Sequence, residues 1–378
     1  MASADPTTPV TTRPASRLYW LVSIVAVSLC VVVAIVNGDK TWLLLAGFLG
    51  LTLGRYIAIF VHEMGHVAAG RRAGLIFQEV HVGPFAYCGF RGYREIYLNG
   101  RRSGGLAQMM LPNTENPEER IRRFFRGGPV ASAWLAGVLA AAAAAAWVAD
   151  NNLLAYLLVE VCFGSLFSLI SGWLPFATQG AMSDALVLHK LEEKEKTRDS
   201  IVASYLLGLE YCSGLRPRDW NPELVERLLV SATGAAELAR AQLIAFYFHS
   251  DLGDSEKSMS CTSEAERILS AEDTQMGVIS HTFWLIKAFD VATKDSNYAY
   301  AKHLRAKAAP SAKQLDYEIL VLDAAIEAGE GKPENTEALL HRATKVLERR
   351  QRRTGCSIEP GLETIQRLKV QAGLAKPA

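Results

Sequence analysis

The residues best suited to chemistry are His62, Glu63 and His66, which form a His-Glu-x-x-His pattern. On a helix, residues four apart lie on one face, so the two imidazoles can bind one metal ion. Zinc is the usual ion, and the glutamate can act as general base on a metal-bound water. Zinc lowers the pKa of that water to about 7, which supplies hydroxide at neutral pH. The pattern therefore predicts a hydrolytic zinc site.

Two histidines do not complete such a site, because a catalytic zinc has three protein ligands and leaves its fourth position to water. Asp184 follows the helix breakers Pro175 and Gly180, which places it on irregular backbone or at the start of a helix. An ordinary helix N-cap is the alternative role for Asp184. The candidates for the third ligand are Glu79, His81, Asp184 and His189.

The composition separates the chain into two parts. Half of the 378 residues are hydrophobic, and almost all of the excess lies before about residue 188. Forty basic residues oppose 39 acidic ones, a balance that argues against nucleic-acid binding. Six scattered cysteines without a Cys-x-x-Cys pair exclude a disulfide scaffold and a cysteine zinc knuckle. The sequence thus predicts a membrane part followed by a polar part.

Four apolar segments approach or exceed the roughly 20 residues that span a bilayer. A cleaved signal peptide is the alternative for the first, but no small-x-small cleavage site follows it. Residues 1–17, rich in Ser, Thr, Pro and Ala, are predicted to be disordered. The predicted spans are 18–36, 42–70, 129–149 and 153–175.

The segment 71–128 between the second and third spans contains ten arginines. Because positive charge collects on the cytoplasmic side, this segment and both termini are predicted to be cytoplasmic. Residues 75–82 and 93–98 are predicted strands, and Asn99-Gly100 is typical of a hairpin turn.

A short helix is predicted over residues 120–126, ended by Gly127-Gly128-Pro129. It begins after Asn116-Pro117, a typical helix start, and contains four arginines and two phenylalanines. Such a helix suits a membrane surface, and an ordinary basic connector is the alternative.

The whole arrangement resembles the site-2 protease family of intramembrane zinc metalloproteases. In that family a His-Glu-x-x-His helix precedes a small β region, a Gly-Pro entry to the next span, and an Asn-x-x-Pro…Asp-Gly signature. The resemblance covers about residues 42–190. The corresponding features here are His62 to His66, the region 75–110, Gly128-Pro129, and Pro175 followed by Asp184.

The resemblance implies that His62, His66 and Asp184 bind zinc and that Glu63 is the catalytic base. It also implies a multi-pass protein of a bacterial cytoplasmic membrane that cleaves membrane-protein substrates in or near their transmembrane segments. An extended strand within 75–110 could receive the substrate by edge pairing, and a hairpin that merely covers the site is the alternative.

Three positions depart from the family pattern and concern the handling of substrate rather than zinc. Gly172 stands where the family often has Asn, Ser132 where Asn often follows Gly-Pro, and Ala185 where Gly follows Asp. They favour the alternative of a membrane scaffold that acts through its helical domain. A transporter is a third possibility, and it leaves the His-Glu-x-x-His spacing unexplained.

Arg55 and Glu160 are charges within predicted spans. Intramembrane charges usually have a partner or border water, so the two are predicted to pair with each other or to line an access path for water.

Residues 189–378 are polar and helical in period, with few strand signals. Asn221-Pro222 predicts a helix start, and Ser263-x-x-Glu266 predicts a capping box. Seven to nine helices are expected, as in a helical-repeat array, although no strict repeat period is present. The expected role is recruitment of a cytoplasmic protein partner or control of the protease. A stabilising appendage is the alternative.

The predicted fold class is therefore a mainly α membrane protein. Residues 18–188 form a four-span helical core with a small membrane-associated β hairpin region, and residues 189–378 form an α-helical cytoplasmic domain. The expected partners are the lipid bilayer, a membrane-protein substrate and a cytoplasmic protein, without nucleic acid.

Overall fold

The computed structural model describes most of the chain as helix, together with a small antiparallel sheet. Two compact units divide between residues 193 and 194, whereas the sequence placed the boundary between 188 and 189. The predicted disordered segment 1–17 and the predicted span 18–36 lie outside the described residues. The described residues are 41–98, 104–178, 181–193, 195–271, 277–308 and 317–376.

The first unit contains three long helices that pack against one another in pairs. Two helices of the described residues, α2 and α3, are long and apolar enough to cross a membrane. They include most of the predicted spans 129–149 and 153–175, and α1 coincides with the predicted span 42–70. The helices of this unit are α1 (Thr41–Arg72), α2 (Pro117–Val148), α3 (Asn152–Trp173) and α4 (Asp184–Glu192).

Helix α2 runs without a break through Gly127, Gly128 and Pro129, so the prediction that these residues end a short helix is wrong. Glycine and proline cost about 1 and 3 kcal/mol in a helix interior, and the packing outweighs that cost here. A Cβ on Gly65 of α1 would lie 2.4 Å from Ala131 Cβ and 2.5 Å from the Gly127 carbonyl oxygen. The glycines are therefore needed where α1 and α2 cross closely.

Residues later in α1 contact residues later in α3, which shows that these two helices run parallel. A Cβ on Gly54 would lie 3.0 Å from Val161 Cα, and one on Gly172 would lie 3.3 Å from His62 Cε1. Helix α2 runs antiparallel to both. The C-terminal halves of α1 and α3 thus meet the N-terminal half of α2.

A four-stranded antiparallel sheet follows α1, in the order β3-β2-β1-β4. The predicted strands 75–82 and 93–98 are confirmed as β1 and β3. The predicted hairpin turn at Asn99-Gly100 lies outside the described residues, and the strands before and after it, β3 and β4, lie at opposite edges of the sheet. The strands are β1 (Ile76–Val82), β2 (Phe85–Cys88), β3 (Glu95–Leu98) and β4 (Gly105–Met110).

The sheet packs on α1 through β1 and β4. A Cβ on Gly83, in the turn between β1 and β2, would lie 2.3 Å from the Tyr56 ring, and one on Gly105 would lie 2.1 Å from Glu63 Oε1. The turn and the start of β4 are neighbours, since the Gly83 N–H donates to the Gly104 carbonyl oxygen at 2.9 Å and Val82 pairs with Gly105, and both pack on α1. A second, two-stranded pair, β5 (Ala177–Thr178) and β6 (Ala181–Met182), lies between α3 and α4.

The second unit is helical, with nine α-helices and a short 3₁₀ helix at Pro217–Asp219 among its described residues, in agreement with the seven to nine predicted. Phe283, Leu322 and Leu340 are fully buried in its larger hydrophobic core. The helices are α5 (Glu195–Cys212), α6 (Pro222–Ser231), α7 (Ala235–Leu252), α8 (Ser255–Ala271), α9 (Gly277–Lys294), α10 (Tyr298–Ala308), α11 (Tyr317–Gly329), α12 (Pro333–Thr354) and α13 (Glu359–Gln371).

One of the two predicted helix starts in this unit is confirmed. Asn221 caps α6, where its side-chain oxygen accepts the N–H of Glu223 at 2.9 Å. The predicted start at Ser263 is wrong, because α8 begins at Ser255 and passes through it. Asp254 already accepts the N–H of Lys257 at 3.1 Å, so the helix is capped two turns earlier.

Arg216 is the centre of a charged network in the second unit. Its guanidinium donates to Asp251 Oδ1 and to Glu363 Oε1, each at 2.6 Å, which ties α7 to α13. Burial opposes ionisation of Asp251, but hydrogen bonds from Arg216 and Arg218 outweigh it and lower the pKa of this carboxyl. The hydrogen bond from Arg216 likewise lowers the pKa of Glu363.

Candidate metal centre

The structure brings together His62, His66 and Asp184, which come from two helices far apart in sequence. His62 and His66 lie one turn apart on α1, and Asp184 is the first residue of α4. Ser183 rather than Asp184 is the N-cap, since its hydroxyl accepts the N–H of Leu186 at 3.3 Å. The capping role considered for Asp184 is therefore taken by its neighbour, and the Asp184 carboxylate faces the histidines.

Three atoms of these residues form a nearly equilateral triangle. His62 Nε2 lies 3.1 Å from Asp184 Oδ2, His66 Nε2 lies 3.3 Å from the same oxygen, and the two Nε2 atoms are 3.2 Å apart. Around a tetrahedral zinc with bonds of 2.0–2.1 Å, ligand atoms are separated by about 3.3 Å. The three residues therefore have the spacing that a tetrahedral ion needs.

Hydrogen bonds on the far side of both imidazole rings support this use of the Nε2 atoms. His66 Nδ1 lies 2.8 Å from the Phe124 carbonyl oxygen, which can only accept, so Nδ1 carries the proton. The Nε2 atom of a neutral His66 then carries a lone pair that can bind a metal ion. His62 Nδ1 lies 2.9 Å from Ser132 Oγ. A proton on one ring would satisfy one contact with Asp184, whereas a divalent cation satisfies all three atoms at once.

The space beside the Nε2 atoms exists because Gly128 of α2 has no side chain. A Cβ there would lie 2.3 Å from His66 Nε2 and 2.7 Å from His62 Nε2. On α3, a Cβ on Gly172 would lie 3.3 Å from Asp184 Oδ2. Backbone from α2 and α3 thus encloses the site without filling it, and the site residues are mostly buried: His66 is 4% exposed.

Glu63 is 7% exposed and is held by strand β4. Its carboxylate accepts a hydrogen bond from the backbone N–H of Ala107. Strand β4 is at the edge of the sheet and pairs with β1 on its other side. The candidate general base therefore lies between the histidines and β4, which is an edge strand of the sheet among the described residues.

The other candidate ligands are not brought to this site. Glu79 lies 3.0 Å from His81 within the sheet and accepts a hydrogen bond from the Tyr97 hydroxyl at 2.9 Å. His189 is exposed and lies 3.1 Å from Glu193. In the part of the chain that the structure describes, His62, His66 and Asp184 form the one group of three or more such residues that could hold a metal ion.

Sequence reasoning missed the contacts that α2 makes with the two histidines. Ser132 was singled out as a departure from a family pattern, not as a partner of His62. The available signal was the spacing of Phe124, Gly128 and Ser132, four residues apart and hence on one helix face. That signal becomes readable only when the alignment of α2 against α1 is known.

Arg55 and Glu160 lie at the interface of α1 and α3. A Cβ on Gly50 would lie 3.6 Å from Glu160 Cβ, and one on Gly164 would lie 3.4 Å from Arg55 Cα. Glu160 is 5% exposed and Arg55 is partly buried. Their pairing stays a prediction.

The fold and the site together define a mainly helical protein with a small antiparallel sheet, two helices able to cross a membrane, and a His-His-Asp group that could hold a metal ion. No protein-family model, curated protein or solved structure matches the chain. The function is therefore argued from the site itself.

Proposed function

We propose that this protein is an intramembrane zinc metalloprotease, similar to the site-2 proteases, that hydrolyses peptide bonds in or near the transmembrane segments of membrane-tethered proteins. One observation carries the proposal: the ligand atoms of His62, His66 and Asp184 lie within 3.3 Å of one another. Next to them is Glu63, which has the position in the pattern that a general base requires.

In this mechanism His62, His66 and Asp184 would hold a zinc ion, which would supply polarisation of the scissile carbonyl and a lower pKa of water. Glu63 takes a proton from the attacking water and delivers it to the leaving amine. The hydrogen bond from Ala107 keeps the Glu63 carboxylate in place. The enclosing helices limit the entry of bulk water, which strengthens the electrostatic interactions inside the site.

The length and polarity of α2 support a site inside the membrane near its cytoplasmic face. Its 32 residues extend over about 48 Å, and the hydrocarbon core is about 30 Å thick. The first ten residues, 117–126, include four arginines and would protrude on the cytoplasmic side. Gly128, which borders the histidines, comes two residues after Arg126, so the site would lie just within the hydrocarbon.

The outward faces of α2 and α3 are apolar, as lipid contact requires. Trp134 is 72% exposed on α2 and Ile170 is 49% exposed on α3. Exposed apolar side chains of this size on two adjacent long helices support a bilayer around them. With α1 and residues 18–36 they would complete four spans.

The sheet is proposed to enter the membrane beside α1. Cross-strand neighbours Phe85 and Leu98, on β2 and β3, are 58% and 73% exposed, and Ile96 is 77% exposed. The nearby turn at Gly83 packs on Tyr56, six residues and about 9 Å from His62 in the direction of the membrane centre. Lipid would cover these side chains.

The outer edge of β4 is proposed to receive the substrate. A transmembrane helix hides its carbonyls in its own hydrogen bonds, so the substrate must unwind locally before it is cleaved. An extended segment can then pair with an exposed strand edge. Because β4 also holds Glu63 through Ala107, pairing there would bring the scissile bond next to the general base. The alternative, a sheet that only covers the site, predicts that edge substitutions leave cleavage unchanged.

A membrane scaffold is the second candidate function, and Gly172 favours it. A side chain at this position would point to Asp184, yet the chain has none there. The loss of a polar group beside the metal would weaken catalysis while the fold persists. The helical second unit would then supply the function by binding a cytoplasmic protein.

Metal content and cleavage of a membrane-tethered reporter separate these two functions. The protein purified in mild detergent should contain about one zinc per chain, and His62→Ala and Asp184→Ala should lose most of it. His189→Ala, which removes an exposed histidine, is the matched control and should keep it. Glu63→Gln should keep zinc but cleave at least about 100-fold more slowly than the parent.

A parent that takes up no zinc after the ion is supplied would contradict the protease proposal. A zinc-loaded parent whose cleavage equals that of Glu63→Gln would instead favour the scaffold. Undiminished cleavage by Glu63→Gln would remove Glu63 from the role of base.

A further inference from the structure

Helix α2 presents three consecutive turns to the two histidines of α1. The Phe124 carbonyl accepts from His66 Nδ1, Gly128 borders both Nε2 atoms, and Ser132 Oγ lies 2.9 Å from His62 Nδ1. These positions are four residues apart, as the histidines are, and the two helices are antiparallel. Each imidazole is therefore contacted by α2 at Nδ1, the ring nitrogen that faces away from Asp184; the Gly128 N–H also lies 3.3 Å from His66 Nδ1.

Ser132 differs from the other two positions because its contribution is a side chain. It is fully buried at 0% exposure, within a helix that is apolar enough to cross a membrane. Burying a hydroxyl costs free energy that a hydrogen-bond partner offsets. His62 Nδ1 is that partner.

The direction of this hydrogen bond follows from the use of His62 Nε2. If Nε2 offers its lone pair to the metal, the proton of the neutral ring is on Nδ1 and is donated to Ser132 Oγ. The bond then fixes both the tautomer and the orientation of the ring. In metalloproteins, removing a side chain that hydrogen-bonds to a metal-ligating histidine lowers metal affinity roughly 10- to 100-fold.

We propose that Ser132 is a positioning residue of the metal centre, whose hydroxyl holds the His62 ring with Nε2 toward His66 and Asp184. The proposal deepens the metal site on which the proposed function rests. From the sequence, Ser132 was recognised only as a departure from a family pattern.

Ser165 of α3 provides a matched control within the same unit. Like Ser132 it is at 0% exposure in a helix long enough to cross a membrane. Its Oγ has no hydrogen-bond partner among the described residues. Ser165→Ala therefore removes the same atom at the same burial without touching a metal ligand.

The test compares the full-length parent, Ser132→Ala and Ser165→Ala in detergent. The zinc dissociation constant is measured by competition with a chelating dye, and the visible absorption of bound Co²⁺ reports the ligand geometry. Ser132→Ala should bind zinc roughly 10- to 100-fold more weakly, with an altered cobalt spectrum. Ser165→Ala should bind zinc within about twofold of the parent with an unchanged spectrum, because it leaves the ligands in place.

Two outcomes would overturn the positioning role alone while the parent still binds zinc. One is a Ser132→Ala variant with the affinity and cobalt spectrum of the parent. The other is an equal loss in Ser165→Ala, which would show a general effect of buried serines. A parent that binds neither zinc nor cobalt would overturn the metal site and with it both proposals.

Discussion

At the scale of residues, the site depends on the absence of a side chain at Gly128 as much as on the side chains that face it. The histidines and Asp184 converge on a small space, and Gly128 keeps that space open. The same position on α2 also lets the helix approach α1. A glycine here is therefore a requirement of the metal centre and not only of helix packing.

Gly128→Ala should abolish metal binding. Its Cβ would lie 2.3 Å from His66 Nε2 and 2.7 Å from His62 Nε2, well inside van der Waals contact, so one ring must move away. The zinc content should fall from about one per chain to near zero. The measurement is metal analysis of the purified variant.

Gly137→Ala is the control for this substitution, because it lies on the same helix and a Cβ there meets nothing within 4 Å. It should keep its zinc. Full zinc in Gly128→Ala would contradict the geometry of the site described here.

The donor types were visible in the sequence, whereas their arrangement was not. The four-residue spacing of His62 and His66 is a local property of a helix, and it can be read directly. The choice among Glu79, His81, Asp184 and His189 is a tertiary property that no local pattern determines. The contact of Ser132 with His62 was missed for the same reason, since the two residues are 70 positions apart in the chain.

At the scale of elements, strand β4 connects the general base to the place where a substrate could pair. Ala107 holds the Glu63 carboxylate, and Gly105 lies against the same side chain. The position of β4 therefore sets the position of Glu63 without involving any metal ligand.

Gly105→Ala should separate catalysis from metal binding. The added Cβ would lie 2.1 Å from Glu63 Oε1, the far end of a flexible side chain that can rotate away. The fold and the zinc content should survive, while cleavage should fall about 100-fold or more because the base is displaced. The measurements are zinc per chain and the rate of reporter cleavage.

The neighbouring Gly104→Ala is the control, since a Cβ at that position has open space around it. It should cleave as the parent does. Loss of zinc in Gly105→Ala would mean that β4 supports the ligands as well as the base.

Predictions of elements failed where long-range packing outweighed a local signal. Gly127, Gly128 and Pro129 look like a helix end, yet they continue α2 because the close crossing with α1 needs small residues. Asn99-Gly100 lies outside the described residues, and the flanking strands β3 and β4 lie at opposite edges of the sheet, so these two strands do not pair with each other. Where local and tertiary preferences agree, as at Asn221, the sequence was sufficient.

At the scale of the whole molecule, the chain combines two compact units with different sources of stability. The first has apolar helices whose exposed side chains suit lipid, and the second has its own hydrophobic cores. The Arg216 network belongs to the second unit and adds charged contacts between α7 and α13. This unit is therefore expected to respond to acid through that network.

The stability of the second unit should fall as the pH drops below about 4. The folded state lowers the pKa of Asp251 and Glu363, so their contribution is fully present above the unfolded values of about 3.9 and 4.3. It is lost as the pH falls through the lower folded values. Urea unfolding of the full chain in detergent, followed by circular dichroism at several pH values, measures the effect.

Asp251→Asn tests whether Arg216 is the cause. At neutral pH the variant should lose about 1–3 kcal/mol of unfolding free energy, because a charge-assisted hydrogen bond is weakened. The difference from the parent should shrink as the pH falls below about 4, because the unfolded parent then binds a proton at Asp251 and the charge-dependent stabilisation is lost. Asp219→Asn, at an exposed position of the 3₁₀ helix, should follow the parent throughout. A difference between Asp251→Asn and the parent that is constant with pH would show that the network stabilises the unit through packing and not through charge.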